Sequence, residues 1–397
     1  MTITGLHGIM KTVTVTAATV TILMTVSSGG NMIEKLNIET KKKLIEANWR
    51  MEDSHPSGGL KEVPFIIEVG PMHMATKKYY NNPDAEIEWA EDHAKKREDV
   101  YDYGFPNIKP NQGINIVAGA FGCGCKPNDE ADPWVDCLIK EENVDDVYKL
   151  KVPDPVNNPY FEQAWKHVEA LQAKSKIPLR VINVPSPLVT ASLIWEYTGF
   201  IEATLVYPDE VHALMEKITE ATIGYVKEMF KRIKNLYGVS HEFWYVPKEM
   251  GIRVSDDTAA LLSPNLYREF GVKYNAMIAK EFGGIVVHSC GDISNVAEAM
   301  MEIPGLKGLD FTIPQVQNWE KVRDAVSGKT PLCLRHFYWD HLGTGAQDDG
   351  LSSVEDLAAY SKKLIDFFGR KGVFIQTSTP TTEEAIELGE KLHTVLM

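Results

Sequence analysis

His288-Ser289-Cys290-Gly291-Asp292 is the segment whose residue types and spacing could most directly do chemistry. It closes an apolar run, Gly284-Ile-Val-Val-His288, that reads as a strand, and side chains two apart on an extended chain share a face. An imidazole and a thiolate side by side at a strand end are good Zn²⁺ ligands, and Gly291 lets the backbone pass close to an ion. A buried cysteine beside a hydrogen-bonded histidine would be spelled with the same letters. Asp256-Asp257 precedes a helix expected from Pro264. Acids there can hold a metal, orient a histidine, act as a general acid or cap a turn. Glu249, in Pro247-Lys-Glu-Met-Gly251, is a third candidate acid. Cys123-Gly124-Cys125 offers thiolates or a redox pair, or simply two small residues in a tight turn. Cys333 reads as a small buried hydrophobe and Cys137 as incidental. Met72, His73, Ser186, Asp310, His336 and Thr377 complete the candidates, as residues that could line a substrate pocket.

These residues fall where strand-like runs stop. From residue 60 onward, β-rich runs alternate with helical patterns, which is the sequence form of repeated βα units. The expected strands are Val63–Val69, Ile114–Phe121, Leu179–Val184, His241–Val246, Gly284–His288, Leu306–Phe311, Pro331–His336 and Val373–Thr377. Helices are expected at Asp84–Tyr101, Tyr160–Ala173, Asp209–Leu236, Pro264–Phe282, Ile293–Met301, Val354–Phe368 and Thr382–Leu396. Ser353 and Thr381 stand three residues before Asp356 and Glu384, the spacing of a capping box. Eight strands alternating with helices predict an α/β fold, a (β/α)₈ TIM barrel, whose chemistry sits at the carboxyl ends of its strands. An open doubly wound sheet is the alternative, but no Gly-x-Gly-x-x-Gly turn follows any strand. Residues 32–59 are expected to form an N-terminal helical segment and residues 60–397 one barrel domain. Residues 1–31 are expected to be a disordered or mis-started extension, not an export signal.

Composition narrows the function. The 397 residues carry 41 Lys+Arg against 55 Asp+Glu, a net charge of −14, which disfavours nucleic acid as a partner because that needs clustered cations. Five cysteines are too few for a disulfide framework in a chain of this length, and a reducing cytoplasm is the expected location. No apolar run approaches the roughly 18 residues of a membrane span. No arginine falls between Arg50 and Arg97, so a substrate bearing many negative charges is not expected.

The order of several stretches resembles the uroporphyrinogen decarboxylase superfamily, and within it the methyltransferase branch, across roughly residues 60–397. The stretches are Val152-Pro-Asp-Pro155, Asn183-Val-Pro-Ser-Pro187, Ser255-Asp-Asp-Thr-Ala-Ala-Leu-Leu-Ser-Pro264 with Glu269-Phe270, His288-Ser-Cys-Gly-Asp292 and Gly308-Leu-Asp-Phe311. The resemblance implies a (β/α)₈ barrel. The branch implies transfer of a methyl group between a corrinoid protein and a thiol or methylated substrate, with Zn²⁺ held by a His-x-Cys pair and a later cysteine. His288 and Cys290 match the pair. The later cysteine is missing, since the last strand reads Phe374-Ile-Gln-Thr-Ser-Thr-Pro380. Glu249, Cys123, Cys125, Asp257 and Cys333 are the candidates to replace it.

The resemblance also bears on the superfamily's namesake reaction. Decarboxylases carry an Arg-rich signature after the first strand, where this chain has Val69-Gly-Pro-Met-His-Met74. Their catalytic Asp falls at Gln112 or Gly113 here. The expected function is therefore a zinc-assisted, corrinoid-dependent methyltransferase acting on a small, neutral or weakly charged methylated substrate such as an O-methyl ether. Asp257, Glu249 or Asp256 would serve as its acid, a corrinoid protein as its partner, and a homodimer is allowed. Uroporphyrinogen decarboxylation is the alternative, and a non-catalytic ligand- or partner-binding barrel the second.

Overall fold

Short, largely apolar runs become the strands of a parallel sheet. In the computed structural model, which describes residues 35–70, 76–129, 133–337 and 351–397, these are β1 (Phe65–Val69), β4 (Ile252–Ser255), β5 (Ile285–Ser289), β6 (Leu306–Thr312), β7 (Leu332–Arg335) and β8 (Val373–Thr379). They pair in the order β1-β8-β7-β6-β5-β4. A separate antiparallel pair, β2 (Gly124–Lys126) and β3 (Trp134–Asp136), forms the excursion after the first strand.

Extended chain completes the wall between β1 and β4. Tyr103 N–H donates to Phe65 O at 2.9 Å, Arg180 N–H to Ile108 O at 2.8 Å, Tyr237 N–H to Leu179 O at 2.7 Å and Arg253 N–H to Val239 O at 3.0 Å. The result is the expected α/β, TIM-barrel-like fold, and Ile38–Met397 forms one compact unit. The segment Leu179–Val184 takes part through isolated bridges and not a full ladder. Prolines 178 and 185 flank it, and Ile182 N–H turns to Met229 Sδ at 3.1 Å.

Two expected strands are absent. Ile114–Phe121 instead contains the buried helix Ile116–Ala120, since a short apolar run reads alike as a buried helix or a strand. A Cβ on Gly119 would lie 2.4 Å from the Tyr160 ring, so close packing against Tyr160 explains the small residues there. His241–Val246 is an irregular turn, and the strand is Ile252–Ser255. The aromatic residues that suggest a strand plug the barrel: Trp244 packs edge-to-face and Trp49 tilted against Phe374, each with centroids 4.8 Å apart. Trp49 ends the helix Ile38–Trp49, which is anchored by Trp49 Nε1–H to Tyr245 O at 3.1 Å. Gly251 opens β4 at φ 87°, and a Cβ there would fall 1.9 Å from Gly284 O.

The helices hold closer to expectation. Val354–Phe368 and Thr382–Leu396 are found as expected, with Ser353 and Thr381 capping through bonds from Asp356 N–H (3.1 Å) and Glu384 N–H (3.2 Å). The expected helix Pro264–Phe282 contains a wide π-type turn at Tyr267–Val272, where Gly271 lies against Tyr267. Among the described residues no helix is long and apolar enough to cross a membrane. Residues 1–31 lie outside the described residues.

Above the aromatic plug the barrel interior is charged. Alternation along the strands turns Glu68, Arg253, His288, Asp310, Arg335 and Gln376 inward, all of them buried. Gln376 Nε2–H donates to Glu68, which ties β8 to β1 across their interior face.

Candidate metal centre

Asp257, His288 and Cys290 come together at the carboxyl ends of β4 and β5, with one donor atom from each within 4.8 Å of the others. Strand pairing aligns Ser255 with His288, and Asp256 N–H donates to His288 O at 2.7 Å, so Asp257 is delivered beside the histidine. His288 Nε2 lies 3.0 Å from Cys290 Sγ and 3.7 Å from Asp257 Oδ1. Cys290 N–H donates to Asp257 Oδ1 at 2.6 Å, which fixes the carboxylate against the turn. A Cβ on Gly291 would lie 2.5 Å from Ala260 Cβ, so only glycine lets the two loops approach this closely.

A charged layer supports the cluster from below. His288 Nδ1 contacts Asp310 Oδ1 at 3.2 Å. Asp310 Oδ2 accepts from Arg253 Nε–H at 2.8 Å and Nη2–H at 2.6 Å, and Arg253 Nη1 meets His241 Nε2 at 2.9 Å. Burial works against a charged carboxyl at Asp310, but Arg253, His288 and Arg335 outweigh it and hold the group well below the usual carboxylate range. Burial also opposes an imidazolium at His288, yet Cys290 and Asp310 outweigh it and push its pKa up to about 10. A metal arriving at Nε2 would therefore displace a proton, so its affinity rises with pH.

The residues fit a zinc ion. Imidazole nitrogen, thiolate sulfur and carboxylate oxygen are its ordinary ligands, and the carboxylate on the far nitrogen of His288 is the arrangement that orients a ligating histidine. Of the candidate third ligands, Asp257 is the one brought to the pair. Glu249 precedes β4, so it sits at the amino end of the barrel, half exposed and 3.6 Å from Arg50 Nη1. Cys123 and Cys125 lie at the β2–β3 hairpin, where Asn115 Nδ2–H donates to Cys125 Sγ at 3.3 Å. Cys333 is buried in β7, in register with Asp310, and burial raises its thiol pKa well above the usual value.

The remaining expected residues divide by strand face. Asp256 is fully buried and accepts from Ser186 Oγ–H at 2.6 Å, Tyr267 O–H at 2.8 Å and Asn275 Nδ2–H at 2.8 Å. Both Asp256 and Ser186 thus clamp helices, and Ser186 also caps Pro187–Ile194. His336 faces helix Val354–Phe368, with Nε2 2.9 Å from Ser361 Oγ. Thr377 alternates with Gln376 and so faces the helices as well. Met72 and His73 lie outside the described residues.

Sequence reasoning passed over Arg180, Arg253, Arg335 and Glu242. Their signal was present: a lone arginine inside an apolar run, as in Ile252-Arg-Val-Ser255 or Leu332-Cys-Leu-Arg335, must point into the barrel if its neighbours face the helices.

A parallel α/β barrel with a charged interior and a His–Cys–Asp cluster at its strand ends is the class that fold and site define. The profile of the family described as uroporphyrinogen decarboxylase matches residues 77–239. A solved structure of a methyltransferase from Methanosarcina mazei is similar at 15% identity and a TM-score of 0.63, covering 89% of this chain and 97% of that one. A B12-independent methionine synthase from Shewanella sp. W3-18-1 is similar at 10% identity and a TM-score of 0.37, over 58% of this chain and 64% of the other. Comparison with curated proteins gives no match.

Proposed function

We propose that the protein is a methyltransferase that holds Zn²⁺ through His288, Cys290 and Asp257 and moves a methyl group between a small methylated substrate and a corrinoid protein. The observation that carries the reading is the convergence of three chemically suitable donors at the strand ends, within 4.8 Å of one another. Bound there, zinc would supply Lewis acidity to a substrate heteroatom, and a single thiolate ligand neutralises less of its charge than two would. The chain's own residues do the rest. Asp310 places its charge 3.2 Å from His288 Nδ1, Arg253 holds Asp310, and the Cys290 amide holds Asp257 in place. With one oxygen gripped by that amide, Asp257 keeps a second, and its partly exposed side chain can take or give a proton at the leaving group.

The rim suits a docking partner. Tyr197 and Leu261 are 50% and 52% exposed, Leu261 ends the turn that Asp257 begins, and Tyr197 feels the Asp257 charge. All five cysteines are free, which suits a reducing cytoplasm.

Metal analysis of the purified protein, followed by a screen of methyl donors with a reduced corrinoid protein and corrinoid absorbance as readout, tests this. Zinc near one equivalent, lost in His288→Ala with Cys290→Ala, supports the site. No zinc, with the double variant fully active, overturns it. Coproporphyrinogen formed from uroporphyrinogen would favour the decarboxylase.

A further inference from the structure

Two arginines enter the barrel interior close to the cluster, and they are committed to different degrees. Arg253, on β4, makes two short bonds to Asp310 and meets His241. Arg335, on β7, makes nothing comparable. Its nearest carboxylate oxygens, on Glu242 and Asp310, are 3.8 and 3.9 Å away, past hydrogen-bond reach. Its Nη1 is 3.5 Å from His288 Nε2, and its Nε has no partner. Yet the side chain is only 5% exposed. A guanidinium so far removed from water costs free energy unless an anion is bonded to it, and Asp310 is already held by Arg253. Strand register sets Arg335 beside Thr312 on β6 and Gln376 on β8, where Thr312 Oγ1 and Gln376 Oε1 are also buried without partners.

We propose that Arg335 anchors an anion subsite next to Asp257, His288 and Cys290, and that the small molecule handled there carries a carboxylate. The proposal rests on the reading that this cluster is the reaction centre. It replaces the neutral or weakly charged substrate expected from the absence of arginine near the first strand, because the interior arginines come from other strands. A guanidinium fork takes both oxygens of a carboxylate side by side. Glu242, facing the same guanidinium without bonding to it, repels further negative charge, so a monoanion fits better than a polyanion.

Charge-selective alkylation of Cys290 tests the subsite without metal, corrinoid or substrate. The full-length protein, freed of metal with a chelator, is treated with iodoacetate or iodoacetamide, and each cysteine is followed by peptide mass spectrometry. With either reagent the Cys290 sulfur attacks the methylene carbon, the S–C bond forms as the C–I bond breaks, and iodide leaves. The reagents differ in carrying a carboxylate or a neutral amide, so their rate ratio reports anion binding while thiol reactivity cancels.

Arg335→Gln is expected to lower the iodoacetate-to-iodoacetamide ratio by roughly tenfold, the equivalent of about 1.4 kcal/mol. Arg335→Lys should restore most of it, and Glu242→Gln should raise it. An unchanged ratio in Arg335→Gln, with its iodoacetamide rate preserved, overturns the subsite. If that variant unfolds, buried Cys123 and Cys333 become labelled too, and failure of Glu242→Gln to raise the ratio overturns it instead. Absence of methyl transfer with the ratio behaving as expected would count against the methyltransferase reading and leave the subsite standing.

Discussion

Replacing Asp310 by Asn should expose how the proposed zinc site is supported. Asp310 and Arg253 are each 2% exposed and share bonds of 2.8 and 2.6 Å. A hydrogen bond to a charged group contributes about 1.5–3 kcal/mol, and removing one partner of a buried ion pair costs about 3–5 kcal/mol because the other charge stays behind. The Asn oxygen can still accept from Arg253, so the expected loss of stability is about 3 kcal/mol, read by chemical denaturation with tryptophan fluorescence. The same change removes the negative charge that faces His288 Nδ1, and zinc affinity should fall by about 10- to 100-fold in equilibrium dialysis. The double variant Asp310→Leu with Arg253→Met removes both members of this pair and should recover part of the stability but not the zinc affinity, since His288 and Arg335 still lose the carboxylate they face. A loss below about 0.5 kcal/mol in Asp310→Asn, the range of ordinary surface substitutions, would refute the claim that this pair is buried and mutually dependent.

Glu249→Gln should leave zinc stoichiometry and stability within about 0.5 kcal/mol of the parent, because the residue is exposed and far down the barrel; a lost metal would contradict its placement. Asp256→Ala should cost about 3 kcal/mol by stranding three buried donors, while the folded fraction keeps its zinc on metal analysis. His336, buried against Ser361, has its pKa lowered to about 3 by burial. The unfolded chain therefore takes up protons first as pH falls below about 6.5, and stability is lost through the window from about 6.5 to 3, by about 2 kcal/mol at pH 5. His336→Asn should flatten that part of the stability–pH curve, and an unaltered slope would show that the histidine is not buried neutral.

The barrel and half of the centre were legible because each is written locally. Strands β5 to β8 are short, largely apolar runs between helical patterns, and His288 and Cys290 lie two apart at the end of one of them, where strand geometry dictates a shared face. The errors follow from the same locality. Phe243, Trp244 and Tyr245 have strand-forming character, but their rings are used to plug the barrel floor and to pack beside it, which no period-two pattern records. Glu249 follows the expected strand His241–Val246 but precedes the observed strand Ile252–Ser255, and that reverses the end of the barrel on which it lies.

The amino-acid sequence by itself determined the α/β alternation, the His-x-Cys pair and the absence of a late cysteine, since propensity and spacing act over a few residues. Tertiary structure alone decided that Asp257 is the acid beside that pair, that Asp256 is a helix clamp, and that Arg335 has carboxylates near it but none within hydrogen-bond reach. Those outcomes depend on the register of β4 against β5 and on which interior charge takes Asp310 first. They are settled by contacts between residues 11 to 70 positions apart, and the competition for one buried carboxylate exists only once the barrel has brought its claimants together.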